Sequence, residues 1–209
     1  KKARTSPIKM QTHWFIPARY KTIKNTIAPE QIDGYISYRL IEPGYMGYEL
    51  LTINQRDLTN FKEREIYNNM KFSSENDKSQ CINCHSYQNY RTGNMQMHVR
   101  QYKGGTVIVT DGKAVKFNTK SDSTLSAGVY PSWHPKEKLI AYSVNTIGQT
   151  FHSKDTEKVE VLDTESDIVL LDVEKREIRY VVRDPNSLET WPSWSPDGKM
   201  LVAGMSNDP

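Results

Sequence analysis

One twelve-residue pattern occurs twice in this chain. Tyr130-Pro131-Ser132-Trp133-His134-Pro135-Lys136-Glu137-Lys138-Leu139-Ile140-Ala141 returns, 61 residues later, as Trp191-Pro192-Ser193-Trp194-Ser195-Pro196-Asp197-Gly198-Lys199-Met200-Leu201-Val202. A repeat narrows the available folds, because a fixed period means one structural unit used again. Between the copies, Ser166-Asp167-Ile168-Val169-Leu170-Leu171-Asp172-Val173 and Glu177-Ile178-Arg179-Tyr180-Val181-Val182 read as a hairpin, with a longer loop expected around 146–160. Each unit then holds four short strands. Such a sheet cannot bury both faces alone, so units must stack, and stacking around an axis makes a β-propeller. The competing fold is an antiparallel sandwich with one duplicated hairpin. A closed propeller takes at least about four blades. Two to three are legible here, so residues beyond this sequence are expected to complete it.

The texture upstream agrees with a mainly β chain. Tyr35-Ile36-Ser37-Tyr38-Arg39-Leu40-Ile41 alternates, Pro43-Gly44 marks a turn, and Tyr48-Glu49-Leu50-Leu51-Thr52-Ile53 reads as the returning strand. Asp57-Leu58-Thr59-Asn60 is a turn signal before a third strand near Glu65-Ile66-Tyr67. Asp111-Gly112, between Thr106-Val107-Ile108-Val109-Thr110 and Ala114-Val115-Lys116-Phe117-Asn118, is a strong hairpin signal. Residues 1–34 read as an irregular N-terminal segment, broken by Pro7, Pro17 and Pro29 and packing through Trp14, Phe15 and Ile16. Residues 35–209 form the propeller-like region. Within it, about 71–104 reads as a loop-rich insertion, polar from Phe72 to Ser79 and closed by Gly104-Gly105.

That insertion carries the chemistry. Cys81-Ile82-Asn83-Cys84-His85 is a C-x-x-C-H motif, which reads as a c-type haem attachment site. Two thiols at this spacing reach two vinyl groups on one porphyrin edge, and the adjoining histidine supplies an imidazole to the iron. These are the only two cysteines in the chain. A thioredoxin-like pair would open a helix in a βαβ unit, and no such pattern surrounds it. A zinc site needs four ligands, and His98 has no partner close behind it. A Cys81–Cys84 disulfide would leave His85 without a role. For the sixth iron ligand the candidates are His98, taken first, then Met97 and Met95, or an open position. The methionines could equally pack on the porphyrin face. His134 and His152 are weaker candidates, although His134 stands where the other repeat has Ser195.

Composition sets limits. The net charge of +3 comes from interspersed signs, as in Lys62-Glu63-Arg64-Glu65, which argues for solvated faces rather than nucleic-acid binding. No apolar run approaches the roughly 18 residues of a membrane helix. Lys1-Lys2-Ala3-Arg4 is followed by no apolar stretch, so no signal peptide is visible in this sequence. The chain is either cytosolic or a mature form, and the haem motif favours the second. An export signal or lipid anchor would then have been removed.

The repeat resembles the TolB-like, WD-type propeller repeats over about 106–209. Ser195-Pro196-Asp197-Gly198-Lys199 carries the full turn of that class, whereas His134-Pro135-Lys136-Glu137-Lys138 lacks its Asp-Gly pair. Arg56-Asp57-Leu58-Thr59, Cys81-Ile82-Asn83-Cys84-His85-Ser86, Gly104-Gly105-Thr106 and Tyr130-Pro131-Ser132-Trp133-His134-Pro135 together look like a Bacteroidetes family of haem-bearing TolB-like propeller proteins. That resemblance spans most of 35–209. It implies one covalent haem c, an envelope location, and His98, within Met97-His98-Val99-Arg100, as the matching downstream position.

Three functions are expected in order. The first is an exported electron-transfer protein with an envelope redox partner. The second is an envelope interaction module that docks a scaffold protein or glycan and uses its haem as a structural staple. The third is a peroxidase-like enzyme, for which Glu75, Asp77 or His98 would supply the distal acid–base group.

Overall fold

A computed structural model of the chain describes residues 5–8, 23–27, 29, 32–41, 50–71 and 80–207. The chain divides into two units, 1–33 and 34–209. In the first, β1 (Thr5–Ile8) pairs antiparallel with β2 (Ile23–Thr26), so the segment expected to be irregular contains a short ladder. Trp14, Phe15, Ile16 and Pro17 lie outside the described residues.

The second unit is a series of antiparallel sheets, in chain order. β3 (Tyr35–Ile41), β4 (Leu51–Asp57) and β5 (Glu63–Asn68) make the first. β6 (Cys81–Tyr87), β7 (Met95–Arg100), β8 (Gly105–Thr110) and β9 (Lys113–Phe117) make the second. β10 (Val129–Trp133), β11 (Leu139–Phe151), β12 (Val159–Asp172) and β13 (Glu177–Val182) make the third, and β14 (Leu188–Trp194) with β15 (Leu201–Ser206) the fourth. The strands follow their sequence signals. Asp111 and Gly112 both take positive φ, as the two-residue turn between β8 and β9 requires. Asp57 accepts hydrogen bonds from the Thr59 N–H and hydroxyl at 2.8 and 2.6 Å, which closes the turn from β4 to β5. Pro43-Gly44 lies outside the described residues.

Two expectations need correcting. Residues 81–100 are not a loop-rich insertion; they are the first two strands of a complete four-stranded sheet. Met95, Met97 and Val99 alternate toward an apolar core, and that period of two outweighs the polar flanks. Residues 146–160 are not simply a loop either. β11 and β12 run on past their sheet as a long two-stranded arm, paired out to Phe151 and Val159.

Two cores lie between successive sheets. Leu51 and Ile53 meet Ile82, Met95, Met97 and Val99. Ile108 and Phe117 meet Trp133, Ile140, Tyr142 and Val169. Sheets thus stack face to face in series, a mainly β, propeller-like arrangement. Neighbours also interlock through a repeated contact. Gln88, just after β6, donates from Nε2 to the carbonyls of His134 and Glu137 in the next sheet's turn, at 2.9 and 2.8 Å. His134, just after β10, does the same to Gly198 in the turn after β14, at 3.0 Å. His134 Nδ1 accepts the N–H groups of Lys136 and Glu137, so Nε2 carries the proton.

Candidate functional site

The first strand of each of the last three sheets carries a β-bulge at the same place. The irregularity falls at Asn83/Ser86 in β6, Val129/Ser132 in β10 and Thr190/Ser193 in β14. In each, the first bulged residue has positive φ: 55° at Cys84, 50° at Tyr130 and 52° at Trp191. Cys84-His85-Ser86-Tyr87 is therefore a third copy of the unit that elsewhere reads Tyr130-Pro131-Ser132-Trp133 and Trp191-Pro192-Ser193-Trp194. Sequence reasoning missed this copy; Ser86 and the aromatic Tyr87 were its signals. Bulges re-aim side chains and recur beside functional sites, and positive φ is rare for a residue with a Cβ.

The bulge separates the motif's side chains. Cys84 is half-buried, and its sulfur accepts the Tyr130 N–H of the next sheet. Burial raises its thiol above the ordinary value, with that hydrogen bond, Arg100 and Arg39 pulling the other way. Its carbonyl accepts from Gln96 Nε2, and Gln96 Oε1 accepts the Tyr142 hydroxyl at 3.2 Å. Cys81 is 6% exposed and belongs to the core with Ile82. Both thiols are free. His85 sits edge-on to Tyr87, centroids 6.0 Å apart, and burial with Arg39 nearby lowers its pKa.

His98 lies on β7, opposite Asn83, and is 6% exposed. Burial, aided by Arg100, pushes its pKa down to about 4, so the ring is neutral near pH 7. Nδ1 lies 3.2 Å from Thr106 Oγ1, which lies 3.1 Å from Thr119 Oγ1. Nothing among the described residues hydrogen-bonds Nε2.

Cys84 and His98 open onto one cavity of about 660 Å³. Val99, Val129, Ile147 and Val161 give it apolar wall, while Arg100 and Lys120 bring two cations and no carboxylate lines it among the described residues. Cys81 and His85 do not line it. Met95 and Met97, considered as iron ligands, belong to the core and line a different, apolar cavity of about 430 Å³. His134 is the sheet-locking residue described above. His152 stands near the arm's tip, 3.3 Å from both Asp155 and Glu160. Glu75 and Asp77 lie outside the described residues.

Among the described residues, no group of three or more His, Cys, Asp and Glu is placed to hold a metal ion through side chains alone. No helix among them is long and apolar enough to cross a membrane.

No protein-family model matches the chain, and no curated protein matches it. Among solved structures, one of the two prolyl endopeptidases of a study on "Inter-Domain Dynamics in Catalysis and Specificity" is similar, with a TM-score of 0.53 and 13% identity. The likeness covers 87% of this chain and 26% of that one, so this chain spans about a quarter of its neighbour's length. It concerns the fold alone and agrees with a propeller-like arrangement of β-sheets.

Proposed function

We propose that this chain carries one covalent c-type haem and passes electrons through it on a propeller-like scaffold outside the cytoplasmic membrane. The observation that carries this reading is that the Cys84 thiol and the His98 imidazole share one cavity. The cavity volume falls within the roughly 300–1,000 Å³ of small-molecule sites. Cys84 supplies a free thiol, His98 an imidazole whose Nε2 has no hydrogen-bond partner among the described residues, and Arg100 and Lys120 two cations for the carboxylates of such a group. Cys81 and His85 are absent from the lining, so their roles as second thioether and proximal ligand rest on the C-x-x-C-H spacing.

Attachment needs no oxidant, because each thiol adds across a vinyl group, sulfur to one carbon and hydrogen to its neighbour. Once bound, a haem supplies a one-electron iron couple. The chain's part is to hold and tune it. The Thr106 hydroxyl, beside that of Thr119, holds the His98 ring, burial keeps that ring unprotonated, and Arg100 and Lys120 would meet the carboxylates of the bound group. Covalent haem attachment takes place outside the bacterial cytoplasmic membrane, hence the envelope location and an envelope redox partner.

A reduced-minus-oxidised visible spectrum, recorded on protein exported with c-type maturation machinery, tests this. Reversible reduction is expected, with His98→Ala shifting the potential and Met97→Leu leaving it unchanged. A haem that cannot be cycled contradicts electron transfer. A second reading, haem as a structural staple, draws on the Tyr130 N–H donated across the sheet junction to Cys84. It prevails if haem loss lowers the melting temperature and the iron exchanges no electrons.

A further inference from the structure

Part of one edge of β12 is left open by the fold. The strand runs from Val159 to Asp172, but β13 pairs with it only over 168–172. Past Val182 the chain turns away at Arg183-Asp184-Pro185. The Asp184 carboxylate accepts the Asn186 N–H at 3.0 Å, its carbonyl accepts the Ser187 N–H at 3.2 Å, and β14 begins in the next sheet at Leu188. The lane beside 159–167 is therefore vacant among the described residues, while β11 holds the other side. An open edge presents unpaired N–H and C=O groups, a template for one more strand. Proline and lysine, which commonly blunt such edges, are absent from 159–167.

This open stretch is acidic. Glu160, Asp163, Glu165 and Asp167 lie along it, and neither strand of the arm, over 145–151 and 159–167, holds a Lys or Arg. A cavity of about 490 Å³ opens where the vacant lane begins, between 164–167 of β12 and the connection at 183–188. Glu165, Asp167 and Asp184 line it with one cation, Arg183. Asp167 is 6% exposed and accepts no hydrogen bond among the described residues. Arg183, 4.7 Å over the Tyr180 ring, stays 3.9 Å from the Asp167 carboxylate. Ser166, 2% exposed, lines the same cavity, and its hydroxyl has no partner among the described residues. Buried polar groups are normally satisfied, so this cavity lacks a donor, and a cationic donor answers its carboxylates best.

We infer that the open edge of β12, residues 159–167, docks an extended basic segment of a partner protein, which adds as a strand in the lane that β13 vacates and places one Lys or Arg side chain in the cavity, against Glu165 and Asp167. A second copy of this chain is a poor occupant, because two such edges would set carboxylates against carboxylates. The inference does not rest on the haem reading: this cavity shares no residue with that of Cys84 and His98.

Fluorescence anisotropy tests it, with the purified full chain and a fluorescein-labelled peptide of alternating lysine and valine as long as the open edge. The wild type is expected to bind this peptide. The same peptide N-methylated throughout keeps its charge and loses its backbone donors, and it should bind about tenfold more weakly or worse. Glu165→Gln with Asp167→Asn should weaken the unmethylated peptide by about tenfold. Glu174→Gln with Glu177→Gln, which removes as much charge at the β12–β13 turn, should leave binding near wild type. Glu165→Gln alone, at an exposed residue, gives the same comparison should the double variant fail to fold, which far-ultraviolet circular dichroism reports. No binding by wild type overturns the inference. Equal binding of the two peptides reduces the contact to charge attraction and overturns strand addition. Equal losses in the two double variants place the peptide elsewhere and overturn the site.

Discussion

Cys84 shows how much a single backbone angle decides. Its positive φ and its place in the bulge turn its sulfur toward the next sheet and the cavity, while His85, one residue on, turns toward Tyr87. The identities of Cys81, Cys84 and His85 were legible in the sequence; their separation by a bulge was not, because φ leaves no mark on residue type. His98 was legible by position, and its neutrality follows from burial that only the folded chain reveals. Asp167 on β12 is a residue of another kind. Burial raises its carboxyl pKa, with Arg183 opposing from 3.9 Å and Glu189 and Glu165 adding to the rise. A carboxyl raised in the folded state binds its proton more tightly there than in the unfolded chain. Stability is therefore lost as pH climbs from the ordinary carboxylate pKa to the folded one. Asp167→Asn should raise the urea midpoint at about pH 7 and add nothing at about pH 3. A lower midpoint at neutral pH would show that the anion itself is needed.

Among the elements, the turns are where one sheet meets the next. Gly198 follows β14 with φ of 78°, and a Cβ placed there would come within 2.4 Å of His134 Nε2. Gly112 has a similar φ of 73°, but a Cβ there meets nothing within 4 Å. Gly112→Ala should cost about 1 kcal/mol, the price of left-handed backbone alone. Gly198→Ala should cost about 1–3 kcal/mol more in urea unfolding, since the His134 contact must also give way. Equal losses would mean that the His134 lock carries no energy. The Asp-Gly turn and the two Pro-Ser-Trp strands were legible because local chemistry specifies them. The copy at Cys84-His85-Ser86-Tyr87 was not, because His85 replaces proline and Tyr87 replaces tryptophan. What repeats is a bulge and a partner sheet rather than a set of side chains. The arm was read as loop because its apolar alternation lies beyond the sheet that would normally explain it.

Across the whole unit, sheets stack in series with a core between the first and second and between the second and third, and Gln88 and His134, at the same repeat position, reach forward to the next turn. The propeller-like class was legible from one repeat, since a four-stranded unit must find neighbours for both faces. The motif's placement as a sheet's own first strand was hidden by its polar flank. That placement gives the account its central claim, the proposal that a haem is attached through the C-x-x-C-H motif at a sheet junction, with Cys84 as one thioether and His98 as the sixth-ligand candidate. The most direct test is a haem stain on a denaturing gel, using the chain exported with c-type maturation machinery beside its Cys84→Ser variant. The account predicts a stained band that survives denaturation in the wild type and is lost or strongly weakened in Cys84→Ser. A wild-type band that takes no stain would contradict it.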